Sequence, residues 1–164
     1  MIGSNVLPRE LPWNRRTVGV VILLVFLPNF LSMVNLTIPG GLKLHTFQVA
    51  IFLAASLLGP VGGLLSGLIG SLFSALTLSN PYLSIGNAIL GFFVGWFLQH
   101  GIRPLFAVWM AFCIQLLWLI PTDYFLAGLS PSFIQNLALM LFLSNTLWAV
   151  VAIRLSGPLK RWLA

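Results

Sequence analysis

The sequence predicts an all-α integral membrane protein, a single bundle of six transmembrane helices with both termini in the cytoplasm. Three observations carry this prediction. The 164 residues are 59% hydrophobic and only 6% charged, whereas soluble proteins carry about 25% charged residues. Apolar runs follow one another almost without interruption between Val18 and Ser156. Finally, 7 of the 8 Lys and Arg residues fall on one side of the membrane once six spans are threaded, as the positive-inside rule predicts.

The first three predicted spans are 17–36, 44–58 and 61–78. The first span has no small-residue cleavage site and opens a series of spans, so we expect a retained helix rather than a signal peptide. The second and third meet at Gly59-Pro60, a pair that breaks regular helix. Because the second span is short for a bilayer that needs about 20 residues, a re-entrant hairpin formed by these two spans remains an alternative. That alternative leaves four spans and the same distribution of charge.

The last three predicted spans are 85–99, 103–120 and 132–155. Asn80-Pro81 precedes the fourth span, Pro104 lies at the start of the fifth, and Pro121 and Pro131 bound the loop before the sixth. Proline favours such joints because it interrupts a helix interior but is tolerated in the first turn. The six predicted spans are an even number, so both termini are predicted on the same side of the membrane.

The basic residues set the orientation of these spans. Those predicted to lie inside are Arg9, Arg15, Arg16, Arg103, Arg154, Lys160 and Arg161. Only Lys43 is predicted outside. Because these charges flank apolar spans, the net charge of +6 indicates contact with lipid headgroups of the plasma membrane; we expect no nucleic-acid partner.

Small residues recur at every fourth position of the third and fourth spans. They are Gly59, Gly63, Gly67, Ser71 and Ala75, then Gly91 and Gly95. Such spacing lets helix backbones approach closely in lipid. Two interpretations remain open, tight packing within the bundle and a docking face for another subunit.

Polar and aromatic side chains collect in the outer third of the predicted bundle. An unpaired buried amide costs about 1–3 kcal/mol, so these groups predict either interhelical hydrogen bonds or an outward-facing pocket for a small solute. In such a pocket the amides orient the solute and the aromatic rings stack on it. The candidate ligand-binding residues are Gln48, Asn80, Asn87, Gln115, Trp118, Asp123, Tyr124 and Asn136.

Asp123 is the only carboxylate after residue 10. It could pair with Lys43 across the outer loops, contact a cationic or amine-bearing solute, or simply be solvated. The sequence has no HExxH, no GxSxG, no phosphate-binding Gly-Lys-Ser/Thr loop and no Cys/His cluster. We therefore expect no enzymatic activity, no metal and no cofactor. The length leaves no room for an ATPase domain, so energy-coupled activity requires partner chains.

Two segments carry a family resemblance. Residues 46–70 read TFQVAIFLAASLLGPVGGLLSGLIG, a short helix that ends in Leu-Leu-Gly-Pro and continues into a glycine-rich helix; residues 87–95 read NAILGFFVG. They resemble the substrate-binding S components of energy-coupling factor (ECF) vitamin transporters, loosely the biotin-binding branch. The resemblance implies capture of a vitamin-like solute from outside and delivery driven by a transmembrane coupling subunit and two ATPases.

One departure from that family concerns docking. The family commonly carries an Ala-xxx-Ala docking motif in its first helix, and span 17–36 has none. Ala50 and Ala54 have this spacing in the second span.

The alternative function is a membrane scaffold of the MreD type in the cell-shape machinery, which has similar size and topology and needs no pocket.

Overall fold

The structure, a computed structural model, describes residues 14–38 and 42–163 of the chain, which form a helical bundle with one short β-hairpin. Its elements in chain order are α1 (Arg15–Ser32), β1 (Asn35–Ile38), β2 (Leu42–His45), α2 (Gln48–Gly70), α3 (Leu72–Thr77), α4 (Tyr82–Gln99), α5 (Pro104–Pro121), a π-helix (Thr122–Leu126) and α6 (Pro131–Leu163). By length and composition, five stretches could cross a membrane, with α2 and α3 forming one of them and α5 and the π-helix another. The predicted helical architecture is confirmed.

Local signals place several helix ends. The side chain of Asn14 accepts a hydrogen bond from the amide of Thr17 at 2.9 Å and caps α1. Pro104 occupies the first turn of α5, where its missing N–H has no cost. Gly101 and Gly128 follow α4 and the π-helix with φ of 77° and 67°, a conformation that glycine adopts without strain.

The β-hairpin was not anticipated from the sequence. β1 pairs antiparallel with β2, with Asn35 opposite His45 and Ile38 opposite Leu42. The sequence analysis extended the first helix to residue 36 and began the second at residue 44, since both stretches are apolar. Two short apolar runs around a Pro-Gly-Gly sequence are also a hairpin signal, and here this signal prevails.

α2 reverses direction at Gly59. Gly59 has φ 72° and ψ −159°, a region that is essentially restricted to glycine. A Cβ built on Gly63 would lie 3.0 Å from the Cβ of Ala55, although eight residues of straight helix span about 12 Å. The two halves of α2 therefore pack against each other as antiparallel helices, in the positions of the predicted spans 44–58 and 61–78.

The second half of α2 packs on α4 through small residues. A Cβ built on Gly63 would clash with the backbone of Gly91, and one on Gly67 with the backbone of Asn87. A Cβ on Gly95 would lie 2.6 Å from the carbonyl carbon of Gly59. For these glycines, the interpretation as packing within the bundle is confirmed.

α1 packs beside the second half of α2. Ser66 Oγ donates to the carbonyl oxygen of Leu24 at 2.6 Å. Asn29 Nδ2 donates to the carbonyl oxygen of Ile69 at 2.8 Å, and Asn29 Oδ1 accepts from the amide of Phe73 at 2.9 Å. Asn29 thus bridges the break between α2 and α3 with both ends of its amide.

The two ends of the bundle differ in charge. The guanidinium carbon of Arg16 lies 5.6 Å from the ring centroid of Trp162, so α1 begins where α6 ends. The reversal at Gly59 lies at the end of α4, since a Cβ on Gly59 would be 2.6 Å from Gln99 Nε2. We call this the basic end, because it carries the Lys and Arg residues of the described helices: Arg15, Arg16, Arg103, Arg154, Lys160 and Arg161. The opposite end holds the hairpin, α3 and the π-helix.

Candidate functional site

A cavity of about 520 Å³ lies at the end of the bundle opposite the basic end. Its wall comes from the end of α1, the residues around the start of α2, α3 with the loop after it, and the first turns of α6. Its polar lining residues are Ser32, His45, Thr46, Ser74, Thr77, Ser79 and Asn80. Its larger apolar lining residues include Phe47, Phe73, Leu83, Phe133, Leu137 and Leu141. The volume is within the usual range for small-molecule sites, about 300–1,000 Å³.

Most hydroxyl groups in the wall donate to the backbone nearby. Thr46 Oγ1 donates to the carbonyl oxygen of Leu31 at 2.6 Å, and Thr77 Oγ1 to that of Phe73 at 2.9 Å. Ser32 Oγ donates in the same way to Asn29 at 2.7 Å. Three of the hydroxyl donors in the wall are therefore used by the fold, and three phenylalanines add aromatic surface to the lining.

Asn80 enters the wall from a strained turn at the end of α3. Ser79 has φ 51°, a value that is uncommon outside glycine. The amide of Asn80 donates to the carbonyl oxygen of Ala75 at 2.9 Å and that of Ser79 to Leu76 at 3.2 Å, which is the Schellman pattern of a helix end. Strained non-glycine residues cluster at functional sites, and Ser79 and Asn80 both line the cavity.

Asp123 lies directly behind Asn80. It belongs to the π-helix that continues α5, and it is 1% exposed. Its Oδ1 accepts from Asn80 Nδ2 at 2.7 Å, and its carbonyl oxygen accepts from the amide of Leu129 at 2.9 Å. Its Oδ2 has no hydrogen-bond partner among the described residues. The predicted pairing of Asp123 with Lys43 cannot be followed, because the side chain of Lys43 lies outside the described part of the chain.

Three of the predicted amides are deeply buried beneath the cavity. Gln48, Asn87 and Gln115 are all 0% exposed, and Gln115 Nε2 donates to Asn87 Oδ1 at 3.1 Å. Both ends of the Gln48 amide, Asn87 Nδ2 and Gln115 Oε1 have no partner among the described residues. We call these three residues the amide layer.

An apolar floor separates the amide layer from the cavity. Phe47 precedes Gln48 in the chain, and Leu83 lies one turn before Asn87 on α4; both are buried and line the cavity. At the starts of α2 and α4, the cavity wall and the amide layer are therefore adjacent levels.

The remaining predicted site residues lie toward the surface. Trp118 is partly buried, and its Nε1 donates to the carbonyl oxygen of Tyr82 at 3.1 Å. Tyr124 is exposed and makes an edge contact with Phe125 at a centroid distance of 4.8 Å. Asn136 is exposed on α6. Of the eight predicted residues, only Asn80 lines the cavity.

Several lining residues are not among the predicted candidates, most of them because they are apolar. Phe73 and Thr77 are four apart on α3, and Phe133, Leu137 and Leu141 repeat the spacing on α6. Residues four apart share one face of a helix. This spacing was a usable signal, although it does not separate a cavity wall from a lipid-facing or core surface.

The Ala-xxx-Ala pair noted in the second span has no exposed surface. Ala50 and Ala54 are both 0% exposed in the first half of α2. A partner subunit therefore cannot contact this pair in the described conformation.

Comparison with known families gives one match. A family model described as "ECF-type riboflavin transporter, S component" matches residues 16–159. No curated protein and no solved structure matches the chain significantly.

Proposed function

The chain belongs to the family of S components of ECF-type riboflavin transporters, and from this premise we propose that it binds riboflavin or a closely related flavin for uptake. The S-component resemblance noted in the sequence is thereby confirmed, while the match names the riboflavin rather than the biotin branch. The family comprises substrate-binding subunits of vitamin transporters, not enzymes. The scaffold alternative gains no support from this match.

The observation that carries the proposal is the cavity of about 520 Å³ with phenylalanine residues in its wall. Flat aromatic rings stack on aromatic side chains, and a flavin has a flat tricyclic ring with a polar edge. The cavity lies at the end opposite the described basic residues. By the positive-inside rule, it faces outward, where a vitamin is captured.

Within this site we propose Asn80 as a direct contact of the solute. Gln48, Asn87 and Gln115 would reach the deep end of the solute when the floor residues Phe47 and Leu83 move aside. Their unpaired amide groups support such a role, because a solute that satisfies them removes an energetic cost. We also retain Trp118, Tyr124 and Asn136, which lie toward the surface, as solute contacts. The buried Asp123 stays in the proposed site through its hydrogen bond to Asn80.

We further propose six membrane crossings with both termini in the cytoplasm, in the plasma membrane. The reversal of α2 at Gly59 supports this, because it brings the turn to the level of Gln99, the end of α4. Each half of α2 then crosses separately. A count of five spans treats α2 with α3 as one long helix.

Energy for uptake would come from partner chains, a transmembrane coupling subunit and ATPase subunits. The described residues form a single helical bundle and no nucleotide-binding domain. Since Ala50 and Ala54 are buried, the coupling subunit would dock on another part of the helix surface.

Thermal unfolding of the detergent-purified protein tests the proposal. Ligand binding to the folded state stabilises it by RT ln(1 + [L]/Kd), about 2.7 kcal/mol at a hundredfold excess over Kd. We expect riboflavin to raise the melting temperature and biotin and thiamine to leave it unchanged. A cooperative transition that riboflavin does not move at any concentration would refute the proposal.

A pair of variants on α3 localises the binding site. Ser74 lines the cavity, so Ser74→Phe fills part of it, and we expect the riboflavin-induced shift to disappear. Leu76 lies on the same helix but is 78% exposed, so Leu76→Phe should retain the shift. Equal shifts in both variants would place the site elsewhere.

A further inference from the structure

We infer that Asn80 recognises an edge of the solute that presents an N–H beside a C=O, as in a cyclic imide, and that Asp123 positions Asn80 for this contact. The inference rests on the proposed function. It specifies which chemical group of the solute hydrogen-bonds to the cavity wall. It assigns Asp123 a role through Asn80, whereas the sequence suggested direct contact with the solute.

Two contacts hold the Asn80 amide in one orientation. Its Nδ2 donates to Asp123 Oδ1 at 2.7 Å, and its Oδ1 accepts from the amide of Tyr82 at 3.1 Å. A backbone amide only donates hydrogen bonds, so the N–H of Tyr82 by itself requires the oxygen of Asn80 on its side, and an ionised Asp123 carboxylate, which only accepts, requires the nitrogen on the other. Rotating the Asn80 amide by 180° would bring two acceptors together on one side and two donors on the other. The chemistry of the neighbours therefore fixes which end is oxygen and which is nitrogen.

The hydrogen-bonding positions of Asn80 that Asp123 and Tyr82 leave unused determine which group of the solute can bind there. A primary amide has two N–H donors and two acceptor positions on its oxygen. One of each is occupied by Asp123 and Tyr82, so one N–H and one acceptor position remain, and a two-point contact requires that these two lie side by side toward the cavity. Asn80 lies in the cavity wall. An adjacent C=O and N–H on the solute satisfies both remaining positions, whereas a phosphate or carboxylate oxygen satisfies only the donor.

The surroundings make this contact selective. Asn80 is 7% exposed and Asp123 is 1% exposed, so water has little access to either. A buried site built to hydrogen-bond a group rejects an analogue without that group, because its own polar atoms are then left unpaired. In riboflavin the matching group is the ring N3–H with its neighbouring carbonyl.

The experiment compares riboflavin with 3-methylriboflavin, which lacks the N3–H and is otherwise the same solute. We expect the unaltered protein to bind riboflavin at least tenfold more tightly, measured by quenching of flavin fluorescence. Equal affinities for the two flavins would overturn the inference and leave the proposed function intact. Absence of any riboflavin binding would instead refute the proposed function itself.

An exchange of the two side chains tests Asn80 directly. In the double variant Asn80→Asp/Asp123→Asn, the new amide at 123 can donate to the new carboxylate at 80, so the internal hydrogen bond and the net charge are kept. Position 80 then offers only acceptors to the solute. We expect a melting temperature near that of the original protein without ligand, and at least a tenfold loss of riboflavin affinity. Retained affinity in this variant would exclude recognition by Asn80.

Two single variants test the positioning role of Asp123. Asp123→Asn keeps an acceptor for Asn80 Nδ2, whereas Asp123→Leu has none. We expect Asp123→Leu to lose at least tenfold more riboflavin affinity than Asp123→Asn, and to lose its preference for riboflavin over 3-methylriboflavin. Equal losses, or a preference kept in Asp123→Leu, would contradict the positioning role. Should the variants not fold, the comparison of the two flavins on the original protein decides the inference.

Discussion

Among single residues, the side-chain amides of this bundle differ in how many of their hydrogen-bonding groups the fold uses. Asn29 uses both ends of its side chain, donating to Ile69 and accepting from Phe73, and this arrangement serves the fold. Gln48 uses neither end within the described residues. Inside a membrane no bulk water is available to satisfy such groups. The amide layer therefore has more hydrogen-bonding groups than the described fold uses, which is consistent with a site that hydrogen-bonds a solute.

The pair Gln115 and Asn87 provides a prediction at this scale. Gln115→Leu leaves Asn87 Oδ1 without its donor, and we expect a loss of about 1–3 kcal/mol in the free energy of unfolding. The double variant Asn87→Leu/Gln115→Leu removes both partners and should cost less than the sum of the two single variants. Thermal or denaturant unfolding without ligand measures all three. Additive losses would show that the hydrogen bond of 3.1 Å contributes nothing.

Among the elements, the contact between α2 and α4 decides the architecture. It is formed by glycines whose absent side chains let backbone meet backbone. In lipid, close approach of this kind replaces the hydrophobic drive that associates helices in water. α4 reaches both halves of α2 at this contact, since a Cβ on Gly91 would lie against the backbone of Gly63 and 3.0 Å from Ile51 Cγ2.

Two glycine substitutions test this contact with opposite expected signs. Gly91→Ala places a methyl group against the backbone of Gly63, and overpacking of this kind costs about 1–3 kcal/mol. Gly19 in α1 has nothing within 4 Å of a built Cβ, so Gly19→Ala should leave stability unchanged or raise it by up to about 1 kcal/mol. Melting temperatures in one detergent compare the two. A neutral Gly91→Ala variant would contradict the packing described for α4.

For the whole molecule, the basic end and the cavity end define an orientation in the membrane. Labelling of introduced cysteines by a membrane-impermeant maleimide tests it, on a Cys113→Ala background. We expect Ser130→Cys to react in intact cells, and His100→Cys and Lys160→Cys to react only after permeabilisation. Val61 is 64% exposed beside the reversal at Gly59. Val61→Cys should react only after permeabilisation if the α2 halves cross, and not at all if they are re-entrant.

The sequence predicted the frame of the molecule better than its site. Gly59-Pro60 marks a break by local chemistry, so the joint between residues 58 and 61 was readable from the sequence. The hairpin was missed because Asn35–Ile38 is apolar enough to prolong a helix. Burial of Gln48, Asn87 and Gln115 followed from their apolar neighbours. The position of Phe73 and Phe133 in the cavity wall could not be predicted, because the sequence does not distinguish a phenylalanine that faces a cavity from one that faces the core or lipid.

The glycine contact between α2 and α4 also limits how the protein can move. A seam made of backbone atoms has no rotamers to exchange, so it has few ways to rearrange short of separating. We therefore expect α2 and α4 to move together as one rigid unit. We expect the other elements that border the cavity to move more easily: the hairpin, α3 and the first turns of α6. We therefore expect a solute that enters the cavity to displace these parts and to leave the α2–α4 pair in place.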